Sequence, residues 1–407
     1  MERRENDAKA LRRSALVFIL LMGVVSLFSD VTHEGGKSIL GAYLSLAGAP
    51  AAAIGFVAGF GDLLGYALRF LTGRLADRTH QYWSLTLAGY ALDLLAVPAL
   101  ALIPENGWIW AAALIMAERF GKAVKKPAKD TLLSFAASQN GVGRSFALQE
   151  FLDQLGAFAG PVMLFLVMSF KGSGNTFTDY RHCFALLLVP AAVTLALLLT
   201  AKKFFPHPEN FEPETKKSSV RPAFDGNFRF YLLGTGLFAL GFFDFAIITM
   251  HAARTSLMSP AELPLLYAGA MAVDAAAALL FGELYDRCGL KSLAWSTVAA
   301  APFAVLIFLS SSRGALFLGA ALWGIGMGAQ ESTLKAAVAT LVPRNFRSFG
   351  YGLFQAAFGV CLFLGSWLGG WLYDRSLTAA AVFSVGVQLL AALVFTRIKI
   401  AKSGEKA

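Results

Sequence analysis

Apolar residues run along this chain in blocks, each about long enough to cross a bilayer, with polar residues gathered between them. The blocks fall at about 14–46, 50–73, 83–103, 108–123, 145–170 and 181–201, then at 228–256, 262–284, 292–311, 314–341, 347–373 and 377–397. Some 20 apolar residues in helical form span the hydrocarbon layer. The pattern therefore predicts an all-α polytopic membrane protein with twelve transmembrane segments in two six-helix bundles. The N-terminal bundle is expected over 1–201, a hydrophilic cytoplasmic linker over 202–227 and the C-terminal bundle over 228–407. Met1–Arg13 is polar and basic, and no small-residue cleavage site follows a short apolar run. The first block thus reads as a retained helix rather than a signal peptide.

Composition sharpens this. Of 407 residues, 57% are hydrophobic and only 15% charged, against roughly 25% charged in a soluble domain. An ordinary soluble enzyme has no core large enough for that surplus. Lys and Arg exceed Asp and Glu by 35 to 26, which raises nucleic acid as a partner until the cations are mapped. If the N-terminus, the connections after segments 2, 4, 6, 8 and 10 and the C-terminus share one side, that side holds 27 of the 35 and the other holds five. Positive loops stay inside, so both termini are expected in the cytoplasm, and the basic balance is topological. Four lysines in Glu118–Asp130 read as such a positive anchor, touching anionic lipid head groups. Cys183, Cys288 and Cys361 lack the spacing of a disulfide framework or a zinc site. GGKS at Gly35–Ser38 lacks the first glycine and the strand of a phosphate loop. No nucleophile stands beside a base, so the chain is not read as an enzyme, and no cofactor is expected.

The two halves also resemble each other. GRLADR at Gly73–Arg78 recurs as GELYDR at Gly282–Arg287, an offset of 209, each after the second segment of its half. RSF at Arg144–Phe146 recurs at Arg347–Phe349, and the same offset of 203 relates Gly121 to Gly324 and Gly156 to Gly359. Parallel repeats of this kind set a solute path between the halves near mid-membrane.

On these residues the chain resembles the major facilitator superfamily over essentially its whole length. The family's loop between helices 2 and 3 runs Gly-x-Leu-Ala-Asp-Arg-x-Gly-Arg-Lys. Gly73, Leu75, Ala76, Asp77 and Arg78 match it, while His80, Gln81 and Tyr82 replace its end. The second copy keeps Gly282, Leu284, Asp286, Arg287, Gly289 and Lys291. The resemblance implies a gate in which Asp77 and Arg78 meet a helix start near Arg347, and Asp286 and Arg287 one near Arg144. The alternative is that both loops are solvated turns. Arg119 followed by Gly121 approximates a motif of proton-coupled members. Gly156, Gly160 and Pro161 match the start of an exporter motif, whose closing glycines are replaced by Met163–Phe165.

Ionisable groups inside a bilayer are costly and are functional candidates by default. Asp30, His33, Glu34 and Lys37 fall at i, i+3, i+4 and i+7, one helical stripe. Asp30 and Glu34 form a close carboxylate pair able to load and release a proton, with His33 and Lys37 as built-in counter-ions. The same four residues also suit an internal ion-pair ladder. Glu150 and Asp153 add a second carboxylate pair, with Gln149 and Gln154 beside them. Glu118 and Arg119 are neighbours pointing in different directions, and Arg119 is expected to pair with Asp30, Glu34 or Asp153. Asp62, Arg69 and Asp93 read as structural or gate residues. Proton coupling is thus expected at Asp30, Glu34, Glu150 and Asp153. Solute contacts are expected from His33, Lys37, Arg119, Gln149, Asp244, His251, Trp323 and Gln355, with Phe242, Phe243, Tyr267, Phe354 and Phe358 as further lining or core residues.

The sequence therefore reads as a secondary active transporter of the cell inner membrane, working by alternating access. Its first reading is proton-coupled export of a small organic solute. Its second is proton-coupled uptake or exchange of an anionic metabolite held by Arg119 and Lys37. Its third is divalent-metal export through Asp30, His33, Asp244 and His251, without a fixed metal site. Expected partners are the solute, protons and membrane lipids, not nucleic acid, and the chain is read as a monomer.

Overall fold

The computed structural model describes residues 2–140, 142–171, 175–211, 226–341 and 347–398. Among the described residues the order is α1 Glu2–Leu46, α2 Ala51–Thr79, α3 Tyr82–Ala99, α4 Trp108–Asn140, α5 Val142–Lys171, α6 Thr176–Leu186, α7 Leu188–Phe204, α8 Gly226–Gly241, α9 Phe245–Arg254, α10 Leu263–Cys288, α11 Lys291–Ala300, α12 Phe303–Phe308, α13 Arg313–Ala329, α14 Lys335–Leu341, α15 Arg347–Arg375 and α16 Leu377–Phe395. Among the described residues, ten stretches are long and apolar enough to cross a membrane. Helix α4 carries Glu118, Arg119, Lys122 and Lys125 through its middle, and α13 is followed by a π-helical turn at Gln330–Leu334. Phe170, Leu279 and Leu102 are 83%, 79% and 79% exposed, as suits a surface facing lipid.

Three boundaries differ from the sequence reading. Helix α1 begins at Glu2, so the basic start is already helical. Helix α4 runs on to Asn140, although the apolar block ends at 123, and its Lys125 and Lys129 face protein rather than water. The linker is not featureless: Pro208–Phe211 forms a short 3₁₀ turn, and Phe211 packs with Phe18 and Phe205.

Two compact units emerge. One comprises Met1–Gly48, Leu64–Ser218 and Pro260–Ala268; the other comprises Ala49–Leu63, Ser219–Ser259 and Gly269–Ala407. Lipid tails are as apolar as leucine, so small residues and close packing hold such helices together. In the first unit, a Cβ on Gly156 would run into the Leu27 carbonyl of α1, and one on Gly160 into that of Val31. That gives the glycine–proline pattern of α5 a packing reason. Gly89 on α3 and Gly121 on α4 face each other in the same way. Trp83 Nε1 donates to the Phe205 carbonyl at 3.0 Å and closes one end of this unit over Phe18, Met22 and Leu198. In the second unit, Trp323 Nε1 donates to the Phe243 carbonyl at 2.8 Å and stacks on Phe242. There too the Asp374 carboxylate accepts the Ala51 and Ala52 N–H groups at 3.2 and 2.9 Å, capping the start of α2.

The repeated loop has a conformational counterpart. Gly289 has φ +60, and His80, at the matching position of the first copy, has φ +53. Each N–H returns to the carbonyl four residues earlier, Gly289 to Tyr285 at 2.7 Å and His80 to Ala76 at 2.9 Å. This is the left-handed helix end that glycine adopts freely. A non-glycine residue there costs about 1 kcal/mol, so His80→Gly is expected to raise thermal stability in detergent by that order. An unchanged or lower midpoint would remove the strain.

Candidate functional site

Four positions on α4, Glu118, Lys122, Lys125 and Lys129, are spaced at i, i+4, i+7 and i+11, one helical stripe. The facing stripe of α1 presents Ser26, Ser29 and His33, at i, i+3 and i+7. Helix α3 adds Asp93, which is fully buried. His33 joins all three helices: its Nε2 is 3.0 Å from Asp93 Oδ2, and its Nδ1 is 3.3 Å from Glu118 Oε1. Lys125 Nζ pairs with Asp93 Oδ2, donates to Ser29 Oγ at 3.3 Å and lies 3.9 Å from the Tyr90 ring centre. Lys129 Nζ donates to Ser26 Oγ. Glu118 is also shared: Lys122 Nζ is 2.9 Å from Oε1, and Arg119 Nε is 3.2 Å from Oε2. Each ion is expensive to bury alone, and the pairing within one network makes burial tolerable.

This corrects two expectations. Lys125 and Lys129, read as a surface anchor, are buried at 7% and 5% exposure. Glu118 and Arg119, read as diverging, form an ion pair. Asp93, read as structural or gating, lies at the heart of the network. The signal that finds these residues is the helical spacing of the α4 charges, hidden when they are taken as one basic run.

A small cleft of about 40 Å³ adjoins the network inside the first unit. Leu40, Leu100, Leu114, Ile115 and Phe184 give it an apolar wall, and His33, Lys37, Glu118, Arg119 and Lys122 a polar one. The permanent charges on that lining are three cations against one carboxylate.

The other expected residues are placed as follows. Glu34 accepts a hydrogen bond from the Tyr267 hydroxyl, and Lys37 Nζ lies 5.9 Å from that ring centre. Gln149 is buried and donates to Asp153 Oδ1 at 3.0 Å. Asp30 sits where α1 crosses α5, beside Gly156. Asp244 caps α9 by accepting the Ala246 N–H at 2.8 Å. The buried His251 is joined through Nδ1 to the Tyr373 hydroxyl at 2.9 Å. Trp323 and Phe242 are core residues of the second unit, and Gln355 is half-buried on α15. Arg78 and Arg287 are exposed, the latter bonded to Glu283 at 2.8 Å. The side chains of Asp77, Arg144, Glu150, Asp286 and Arg347 lie outside the described residues.

His33, Asp93 and Glu118 bring potential metal ligands within 4.8 Å of one another. Lys125 already meets Asp93, and Lys122 and Arg119 already meet Glu118. Both carboxylates of the trio therefore already have cationic partners within the protein. Of the four residues combined from the sequence as a cation path, Asp30 and His33 belong to the first unit, Asp244 and His251 to the second.

Residues 231–407 match the family model described as Major Facilitator Superfamily. Over 393 residues the chain is 38% identical to an uncharacterized protein of Mycobacterium tuberculosis (strain ATCC 25618 / H37Rv), covering 95% of this chain and 94% of that one. An uncharacterized MFS-type transporter of the same strain is 38% identical over 94 residues, 23% of this chain and 14% of its own. Among solved structures, the nucleoside transporter NupG has a TM-score of 0.73 at 13% identity, covering 94% of this chain and 98% of that one. A bacterial homolog to the human lysosomal transporter Spinster has a TM-score of 0.70 at 14% identity, covering 96% and 99%. At such identities the likeness is one of fold. A family match over 231–407 and transporter folds along nearly the whole length lead to one conclusion: the second half of the chain matches the Major Facilitator Superfamily, and the whole is a multi-pass membrane protein with that family's fold.

Proposed function

We propose that the chain moves a small organic solute bearing a negatively charged group, driven by protons. The observation that carries this reading is the pocket lining, where Lys37, Arg119 and Lys122 outnumber Glu118 opposite an apolar wall. A cationic cluster in a low-dielectric site attracts an anion and discriminates against cations and metals, while Phe184, Leu100 and Ile115 suit an apolar body. Proton coupling rests on the carboxylates at Asp30, Glu34, Glu150 and Asp153 and on the network at His33. The remaining expected contacts, Gln149, Asp244, His251, Trp323 and Gln355, stay candidates for other stages of transport.

In this reading both termini face the cytoplasm of an inner-membrane protein acting as a monomer. Two six-helix bundles, 1–201 and 228–407, joined by 202–227, rock about the solute. Asp77, Arg78, Asp286 and Arg287 latch the cytoplasmic side against the helix starts near Arg144 and Arg347. Export is the second reading: Gly156, Gly160 and Pro161 match the start of an exporter motif, and Met163–Phe165 replace its closing glycines.

The test is thermal stabilisation of the purified protein by carboxylates, phosphate, organic cations, lipophilic drugs and divalent metals. An anion is expected to stabilise the protein, and Arg119→Ala to abolish that effect and counterflow in vesicles while leaving folded protein. Stabilisation by cations alone, or full transport by Arg119→Ala, would overturn the anionic reading.

A further inference from the structure

Glu118 occupies the place a solute anion needs. Its two oxygens hold Lys122 at 2.9 Å and Arg119 at 3.2 Å, and both cations line the pocket beside it. A carboxylate entering the pocket would meet cations that already have a counter-ion. Two anions there would leave Glu118 facing Asp93 of α3 across His33, which lies 3.3 Å from Glu118 and 3.0 Å from Asp93.

We propose that Glu118 is an internal stand-in for the solute's anionic group, and that a solute anion displaces it from Arg119 and Lys122 as Glu118 takes up one proton. The inference rests on the anionic reading above and adds what that reading leaves open, the sign of the coupling. The balance is simple. The Glu118 carboxylate and a proton from the aqueous side give a carboxylic acid, and the solute carboxylate replaces it as counter-ion. The charge of the network is the same before and after. Anion and proton therefore load together, which is symport; an exchanger would release the proton on binding.

The groups facing Glu118 allow this. Helix α1 presents His33 and Lys37, α3 presents Asp93, and α4 itself presents Arg119, Lys122 and Lys125, the last held by Asp93 and Ser29. Helix α6 contributes the uncharged Phe184, and on α5 Asp153 is bonded to Gln149. Once a solute engages Arg119 and Lys122, the lining offers Glu118 only His33 and Lys37 as compensation, and a buried carboxylate without its cations holds a proton. By linkage, binding one proton with each anion strengthens anion affinity about tenfold per unit fall in pH, over the range where Glu118 is ionised in the empty protein and protonated in the loaded one.

The experiment is calorimetric titration of the purified full-length protein with benzoate, an apolar carboxylate, in two buffers of different ionisation heat. The wild type is expected to take up about one proton per benzoate. Glu118→Gln, which keeps shape and removes the charge, is expected to bind at least as tightly, with no proton uptake and an affinity flat in pH. Wild-type binding without uptake, or uptake retained in Glu118→Gln, would overturn the proposal. Lys122→Ala gives a test without solute or Glu118→Gln, since removing one cation should strengthen the protonated-carboxyl infrared band of the empty protein. No change in that band also overturns the role of Glu118. Failure of benzoate and the whole anion panel to bind, with the band still growing in Lys122→Ala, would instead count against the anionic solute.

Discussion

Asp93→Ala is expected to destabilise the protein by about 3–5 kcal/mol, the cost of leaving a buried ion without its partner. It should also abolish transport. Asp93 is completely buried, and its Oδ2 serves both His33 Nε2, at 3.0 Å, and Lys125 Nζ. Removing the carboxylate leaves Lys125 with Ser29 Oγ at 3.3 Å and the face of Tyr90, neither of which carries a full negative charge. The measurement is the thermal midpoint in detergent, together with the fraction of protein that elutes as a folded species. A drop equal to that of a lipid-facing substitution such as Leu279→Ala would mean that Asp93 and Lys125 do not depend on each other. A companion variant separates stability from function. Asp93→Leu combined with Lys125→Met replaces both ions by apolar groups of similar size, and such replacements are often neutral or stabilising. It should recover most of the lost stability and none of the transport. Recovery of both would reduce the network to a packing device.

The difference between what the chain announces and what it conceals follows a physical line. Bilayer-length apolar blocks and loop charge are local properties, so the all-α membrane architecture was legible from them. The signature loop was legible because it occurs twice, and the left-handed backbone shared by His80 and Gly289 explains why the family keeps glycine there. The site was only half legible. Lys37, Arg119 and His33 are legible as candidates because a charge in an apolar block stands out. Lys125 and Lys129 were misplaced because basic residues near a block's end resemble an anchor, and only their spacing with Glu118 reveals a common face. Which carboxylate meets which cation depends on how α1, α3 and α4 cross. That is decided by small residues with no chemistry of their own, such as Gly89 and Gly121.

Gly121 therefore carries the second large expectation. A Cβ built there would lie 2.7 Å from the Asp93 backbone nitrogen, 2.8 Å from Asp93 Cβ and 2.8 Å from the Gly89 carbonyl oxygen. From the other helix, a Cβ on Gly89 would lie 2.6 Å from the Lys125 nitrogen and 2.7 Å from Lys125 Cβ. Every one of these neighbours is backbone or a Cβ, so no flexible side chain can yield, and the helices must part. Comfortable carbon contacts begin near 3.5 Å, so even alanine asks for a separation approaching 1 Å. Overpacking of this kind costs about 1–3 kcal/mol. Here it carries a second cost, because the same crossing holds Asp93 and Lys125 together. Gly121→Ala is expected to lower stability by the larger of these values and to cut transport severely, and Gly121→Val to yield little folded protein. A double-mutant cycle divides the two costs. In the background of Asp93→Leu with Lys125→Met, the ion pair is gone and only the steric part remains, so Gly121→Ala should destabilise less than in the wild type. An equal penalty in both backgrounds would show that the helices part without disturbing the pair, and that the glycines serve packing alone.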